Sequence, residues 1–202
     1  MREQSPFTIV IVCTGNVCRS PLAEQLLRAR LDAAGVPAVV TSAGVDPGQG
    51  LAMPPEVVAQ SIRYGGDPVG HLPRALDASV LREADLVLTA TRGHRGDVAR
   101  ALPRASRYTF TIAQFARLLD GVAADLDTVA SPWDLVDEAA AERGAAAPPE
   151  DPTVDDIEDP YRREAEVYDR VGERIAGLVD VIAARIIASA RPGSTDQAGA
   201  AR

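Results

Sequence analysis

Thr8-Ile9-Val10-Ile11-Val12-Cys13-Thr14-Gly15-Asn16-Val17-Cys18-Arg19-Ser20-Pro21 is the stretch on which the fold turns. It opens with an unbroken β-branched run, the pattern of a short strand buried on both faces within a parallel sheet. That run passes without a linker into a polar, glycine-containing turn. Behind the turn, Leu22, Leu26, Leu27 and Leu31 recur at helical spacing, and Gly35 closes the segment. Ser20 is placed to cap that helix, and Pro21 suits its first position, where a missing N–H costs nothing.

The same strand-then-helix alternation continues outward. Val39–Ala43 reads as a second strand, Gly44–Pro54 as a loop and Glu56–Arg63 as a helix ended by Gly65 and Gly66. Ala84–Ala90 and Arg107–Thr111 read as further strands, each followed by a helix, over Gly96–Leu102 and Ile112–Leu119. Short β–α connections of this kind predict a doubly wound α/β fold, a mainly four-stranded parallel sheet with helices on both faces. From Tyr161 onward, Val167, Val171, Ile175, Leu178, Ile182 and Ile186 form one apolar stripe of a long terminal helix. Residues 120–156 interrupt the rhythm with Ala-, Pro- and acid-rich sequence. They are expected to be a solvated insertion, or a flap that Trp133 could anchor. One domain is thus expected over 7–190, with a disordered tail at 191–202.

Composition narrows the function. The 202 residues carry a net charge of -8 with a pI near 4.8, which excludes the basic stripe that nucleic-acid binding needs. All 21 Lys and Arg residues are Arg, so no lysine chemistry is available. The 2 cysteines, Cys13 and Cys18, cannot build a disulfide framework. The 2 histidines, His71 and His94, lack zinc-ligand spacing, so neither a metal nor another cofactor is expected. Nothing near the start resembles a signal peptide, and no stretch approaches the roughly 20 apolar residues of a membrane span. A soluble cytoplasmic protein without membrane insertion is expected.

The turn at Cys13 carries chemistry. A loop curled between a buried strand and a helix start points successive N–H groups at one centre, and the helix adds its positive end. Gly15 is expected to allow close approach and unusual dihedrals, and Asn16 to tolerate left-handed geometry. Arg19 can grip two oxygens of an anion with its planar fork. The same field favours a thiolate at Cys13, a nucleophile at the floor of a phosphate cradle. Ser20 can donate a hydrogen bond to that sulfur. Cys-x5-Arg alone would fit an ordinary buried cysteine equally well; the strand before it and the Arg-Ser-Pro helix start after it decide the case.

Val10–Glu24, supported by Thr41-Ser42-Ala43-Gly44, Ala84–Thr89 and Asp159-Pro160-Tyr161, resembles the low-molecular-weight protein-tyrosine-phosphatase family. The resemblance implies hydrolysis of phosphotyrosine in proteins through a cysteinyl-phosphate. Cys13 would be the nucleophile, Arg19 the phosphate clamp and Asp159 the general acid, with Thr14, Gly15, Asn16, Val17, Cys18 and Ser20 forming the phosphate-binding loop. It also implies a supporting network at Asn16, Ser42 and His71, and a substrate wall at Tyr161. The implied partner is a phosphorylated protein, with a bacterial tyrosine kinase among the candidates.

Two departures bear on substrate. No aromatic residue occurs from Ala43 to Arg63, and Arg162 follows Tyr161 where some relatives have a second aromatic. A sibling branch that hydrolyses phosphoarginine has Thr where this chain has Val17, which favours phosphotyrosine. Arsenate reductases of the same fold are the rival from another reaction class. Those relayed through downstream cysteines do not fit, because none follows Cys18, so a small thiol would have to serve as reductant. Among four Asp-Pro pairs, at Asp46, Asp67, Asp151 and Asp159, only Asp159 is followed by Tyr and by the terminal helix.

Overall fold

The computed structural model describes residues 5–47, 50–121 and 129–190. The expected tail lies outside the described residues. Four parallel strands, β1 (Phe7–Cys13), β2 (Ala38–Gly44), β3 (Leu86–Thr89) and β4 (Thr109–Thr111), form a sheet in the order β2-β1-β3-β4. The helices are α1 (Arg19–Ala33), α2 (Pro55–Arg63), α3 (Ala78–Glu83), α4 (Arg92–Ala101), α5 (Ile112–Gly121), α6 (Pro132–Ala145) and α7 (Ala165–Ser189).

β1 lies between β2 and β3 and is buried on both faces, which is why its apolar run is continuous. Alternate side chains serve two cores. Ile9 and Ile11 join Leu26, Leu27, Phe115, Ile175 and Ile182 under α1, α5 and α7. Val10 and Val12 face the other way, onto Leu81, Val87 and Val98 beneath α3 and α4. The doubly wound α/β expectation is met.

Several boundaries differ from expectation for identifiable reasons. α1 begins at Arg19 with Cys18 as its cap residue, and no side chain caps it, because the Ser20 hydroxyl is engaged with Cys13 instead. α4 starts at Arg92, not Gly96: Thr91 caps it by accepting the His94 N–H, which offsets the weak helix propensity of Gly93 and Gly96. β4 is only three residues long because Pro103–Tyr108 winds into a 3-10 helix before it. α3 was not expected; Asp77 caps it from the Ser79 and Val80 amides. On α7 it is Val179, not Leu178, that is fully buried with Ile175 and Ile182.

The segment expected to be a solvated insertion contains α6, which buries Leu135, Val136 and Ala139 against the core. Trp133 packs edge-on against Phe7, the first residue of β1, at 5.5 Å between ring centroids. α6 therefore covers the sheet at the start of β1.

Candidate active site

β1 ends at Cys13, and α1 begins six residues later with its N-terminus directed at the same point. Between them the chain curls tightly. Asn16 takes the left-handed conformation, with φ 54°. Gly15 does not: its φ is not positive, and a Cβ there would meet only Val17, at an ordinary 3.5 Å. The glycine required for close packing is Gly44 at the end of β2, where a Cβ would fall 2.5 Å from the Thr14 carbonyl oxygen.

The curl is pinned from behind by its carbonyls and by one amide side chain. The Thr14 carbonyl accepts from the Asp46 N–H at 3.0 Å, and the Asn16 carbonyl lies 2.8 Å from His71 Nε2. Asn16 Nδ2 donates to Ser20 Oγ at 2.9 Å and to Ser42 Oγ at 2.8 Å, while its Oδ1 accepts from the Arg74 N–H at 3.0 Å. Ser42 passes its own proton to Glu24 Oε2 at 2.5 Å. Asn16 and Ser42 are essentially inaccessible, so this network is rigid and fully satisfied. Among the described residues the N–H groups of Thr14 to Cys18 donate to no protein group, which leaves them for an anion inside the curl.

Cys13 Sγ lies 3.0 Å from Ser20 Oγ. That oxygen accepts from Asn16, and its single proton has the sulfur at 3.0 Å and the Ala43 carbonyl at 3.5 Å as acceptors, the sulfur being the nearer. Cys18 is different in kind: burial first, then the neighbouring Cys13, pushes its thiol up to about 12. It stays protonated and packs among Leu22, Val57 and Tyr168.

Arg19 is 4% exposed. Its Nη1 donates to the Ile157 carbonyl at 3.1 Å, and its Nη2 to Asp159 Oδ2 at 2.6 Å and Thr14 Oγ1 at 3.3 Å. Its Nε is buried without a partner. Asp159 is held by a turn in which the Tyr161 N–H donates to Oδ1 at 3.2 Å. Behind that turn, the Ile157 N–H donates to the Ala90 carbonyl at the end of β3, and Asp156 accepts from the Arg92 backbone and guanidinium. Burial pushes the Asp156 carboxyl up, but these Arg92 bonds outweigh it and hold it below the usual range. Tyr161 is half-buried beside this loop, with the Arg162 guanidinium 5.1 Å above its ring.

Two hydrogen-bonded sets thus meet at the loop: Cys13, Ser20, Asn16, Ser42 and His71 make one, and Arg19, Asp159 and Thr14 make the other. His94 belongs to the second set as well, although its spacing in the sequence pointed to nothing. Its Nε2 lies 3.0 Å from Thr14 Oγ1 and its Nδ1 2.8 Å from Thr91 Oγ1. Glu24 and Arg74 were also unmarked, since a helical Glu and a loop Arg carry no signal of their own.

The family model described as low molecular weight phosphotyrosine protein phosphatase matches residues 8–139, which includes the Cys13 loop but not Asp159. The chain is 38% identical over 111 residues to the low molecular weight protein-tyrosine-phosphatase Etp of Escherichia coli K12, covering 54% of this chain and 70% of that protein. It is 36% identical over 122 residues to a protein-arginine-phosphatase of Geobacillus stearothermophilus, covering 59% and 78%. The crystal structure of the low molecular weight protein tyrosine phosphatase from T. tengcongensis superposes with a TM-score of 0.66 at 28% identity, over 89% of this chain and 99% of that one. On the matched family model, the parallel sheet and the strand–curl–helix at Cys13, this chain belongs to the low molecular weight phosphotyrosine protein phosphatase family.

Proposed function

We propose that the enzyme hydrolyses phosphotyrosine in proteins, with Cys13 as nucleophile, Arg19 as phosphate clamp and Asp159 as general acid. The observation that carries this is the conjunction at Arg19: a buried guanidinium whose Nε has no partner, beside Cys13's loop and 2.6 Å from Asp159. An arriving phosphate takes Nε and Nη2 as a bidentate pair, together with the unengaged N–H groups of the loop. Arg19 then exchanges the Asp159 carboxylate for phosphate oxygens, and Asp159, 48% exposed on its side chain, turns to the leaving oxygen.

The step balances without a cofactor. Cys13 sulfur forms a bond to phosphorus as the ester oxygen leaves, and Asp159, which takes up a proton from solvent once Arg19 releases it, gives that proton to the leaving oxygen. In the second step Asp159 takes a proton from water, the water oxygen bonds to phosphorus, and the sulfur leaves as thiolate. Ser20 Oγ, 3.0 Å away, stabilises that departing charge. Tyr161 walls the substrate ring. Val17, apolar and buried, offers no hydroxyl to a guanidinium-phosphate, which favours phosphotyrosine over phosphoarginine. The enzyme acts in the cytoplasm on phosphorylated proteins, a bacterial tyrosine kinase being one candidate. No helix among the described residues is long and apolar enough to cross a membrane.

Cys13→Ser is expected to abolish turnover of phosphotyrosine peptide while phosphate binding, measured by calorimetry, persists, because the loop amides and Arg19 remain. Activity within about tenfold of the parent enzyme would overturn covalent catalysis by Cys13. A parent enzyme that prefers phosphoarginine when the two substrates are assayed side by side would overturn the substrate assignment.

A further inference from the structure

At the end of the sheet opposite Cys13 there is a cleft of about 490 Å³. Its walls come from three places: the last turn of α3 with the connection to β3 (Arg82, Asp85), the 3-10 helix before β4 (Arg104, Arg107, Tyr108), and α6 (Trp133, Asp137). Each wall lies at the N-terminal end of a strand or packs against one, as Trp133 does on Phe7. β1 alone separates this end from Cys13 by about 20 Å at a strand's rise per residue.

The charge of the cleft is unusual for this molecule. The protein is acidic, and most of its arginines are spoken for by carboxylates, carbonyls or aromatic rings. Among the described residues only Arg82, Arg104, Arg107 and Arg185 have no carboxylate within 4 Å, no hydrogen bond from the guanidinium and no ring beneath it. Three of those four line this one cleft. In a chain of net charge -8, three exposed guanidiniums that line one cleft with no carboxylate within 4 Å, the cleft's own Asp85 and Asp137 standing farther off, mark a place for an anion.

The rest of the lining says what kind of anion. Tyr108, fixed by its hydroxyl to the Leu81 carbonyl, and Trp133 supply aromatic surface. Asp85 uses one oxygen on the Thr8 N–H and keeps the other, and Asp137 forms no hydrogen bond among the described residues, so both carboxylates can accept from a ligand. A bare phosphate or polyphosphate has no use for those carboxylates and is repelled by them. A ligand with phosphate at one end and an aromatic, hydroxyl- and amino-bearing body at the other uses every wall. We propose that this cleft binds a nucleoside phosphate: the guanidiniums hold the phosphate, the rings take the base, and the carboxylates accept from ribose hydroxyls or a base amino group.

Trp133 is the only tryptophan of the chain, so its fluorescence reports this cleft. The full-length Cys13→Ser protein is titrated with AMP, ATP, adenosine, inorganic phosphate and a phosphotyrosine peptide. Saturable change with both nucleotides is expected, tighter for ATP, and at least about tenfold weaker for adenosine, which lacks the charge-assisted bonds. Arg104→Glu with Arg107→Glu is expected to weaken ATP by at least about tenfold, while the same pair in the active enzyme leaves p-nitrophenyl phosphate turnover unchanged. If that turnover is lost with folding, Arg82→Glu takes its place. No saturable change with nucleotides up to millimolar concentration, or unchanged ATP affinity in the arginine variants, overturns the proposal. Inorganic phosphate binding as tightly as AMP also overturns it, leaving a simple anion site, and a peptide that binds more tightly than ATP assigns the cleft to a phosphoprotein segment instead.

Discussion

The Thr14 hydroxyl stands between two side chains, Arg19 and His94. Arg19 Nη2 donates to its oxygen, which leaves its own proton free for an unprotonated His94 Nε2. In that tautomer the ring proton is on Nδ1 and is donated to Thr91 Oγ1. Burial first, and then the Arg19 charge, lower the pKa of His94 from its ordinary 6.5, in keeping with that neutral tautomer. His94 therefore positions Arg19 through Thr14 without touching substrate. Losing one such half-buried bond costs about 1–2 kcal/mol, so His94→Ala is expected to lower kcat/KM by about 5–30-fold. A merely structural role would leave the pH profile alone; here the acid-side loss of activity attributable to His94 protonation should flatten in the variant. The sign for stability follows from the same group. The unfolded chain takes up the proton near pH 6.5 and the folded one resists it, so the contribution is complete above 6.5 and declines as pH falls. A pH-stability curve in which His94→Ala steepens that decline would contradict the assignment.

At the scale of elements, the loop carrying Asp159 is positioned by its neighbours more than by its own sequence. Arg92 at the start of α4 holds Asp156, Arg117 of α5 holds the buried Asp155, and Arg174 of α7 donates to the Asp156 and Val154 carbonyls. Asp151, by contrast, is exposed and caps its own turn through the Thr153 N–H and hydroxyl. Asp159→Asn should thus cost about 10²–10⁴-fold in kcat on phosphotyrosine, the span of general acid catalysis, and Asp151→Asn, which can still cap, should change little. Steady-state rates that exchanged these phenotypes would put the acid on the other Asp-Pro. This contrast also marks what the sequence made legible. β1, its loop, α1 and α7 could be read because a continuous apolar run, a Gly-Asn turn and a helical stripe are all local signals. α3 is only six residues long, too short for periodicity, and α6 is masked by alanine, whose small side chain gives little contrast between its faces. His94, Glu24 and Arg74 join the site through long-range hydrogen bonds, and no spacing along the chain encodes those. The Gly15 expectation failed for the opposite reason: the glycine invited a local explanation, while the tight contact belongs to Gly44 on another strand.

Over the whole molecule, two fields compete at the mouth of the phosphate loop. Locally, Arg19, the loop amides and the α1 N-terminus draw a phosphate dianion inward. Globally, a chain of net charge -8 repels acidic substrates before they reach that short-range attraction. The local field is shielded from solvent because Arg19 is nearly inaccessible, whereas the global one arises from exposed carboxylates such as Glu164 and Glu166. Salt screens exposed charges far more than buried ones, with a Debye length falling from about 30 Å at 0.01 M to about 3 Å at 1 M. The two fields can therefore be separated by ionic strength. At low salt, a phosphotyrosine peptide flanked by Arg or Lys should show a higher kcat/KM than one flanked by Asp or Glu, mainly through KM, since the effect lies in encounter. As salt rises, the basic peptide should lose efficiency, the acidic one should gain it, and their ratio should approach unity while kcat for both stays level. A preference for acidic flanks at low salt, or a flank preference that salt does not touch, would place the selectivity in direct side-chain contacts at the mouth instead of in the charge of the whole chain.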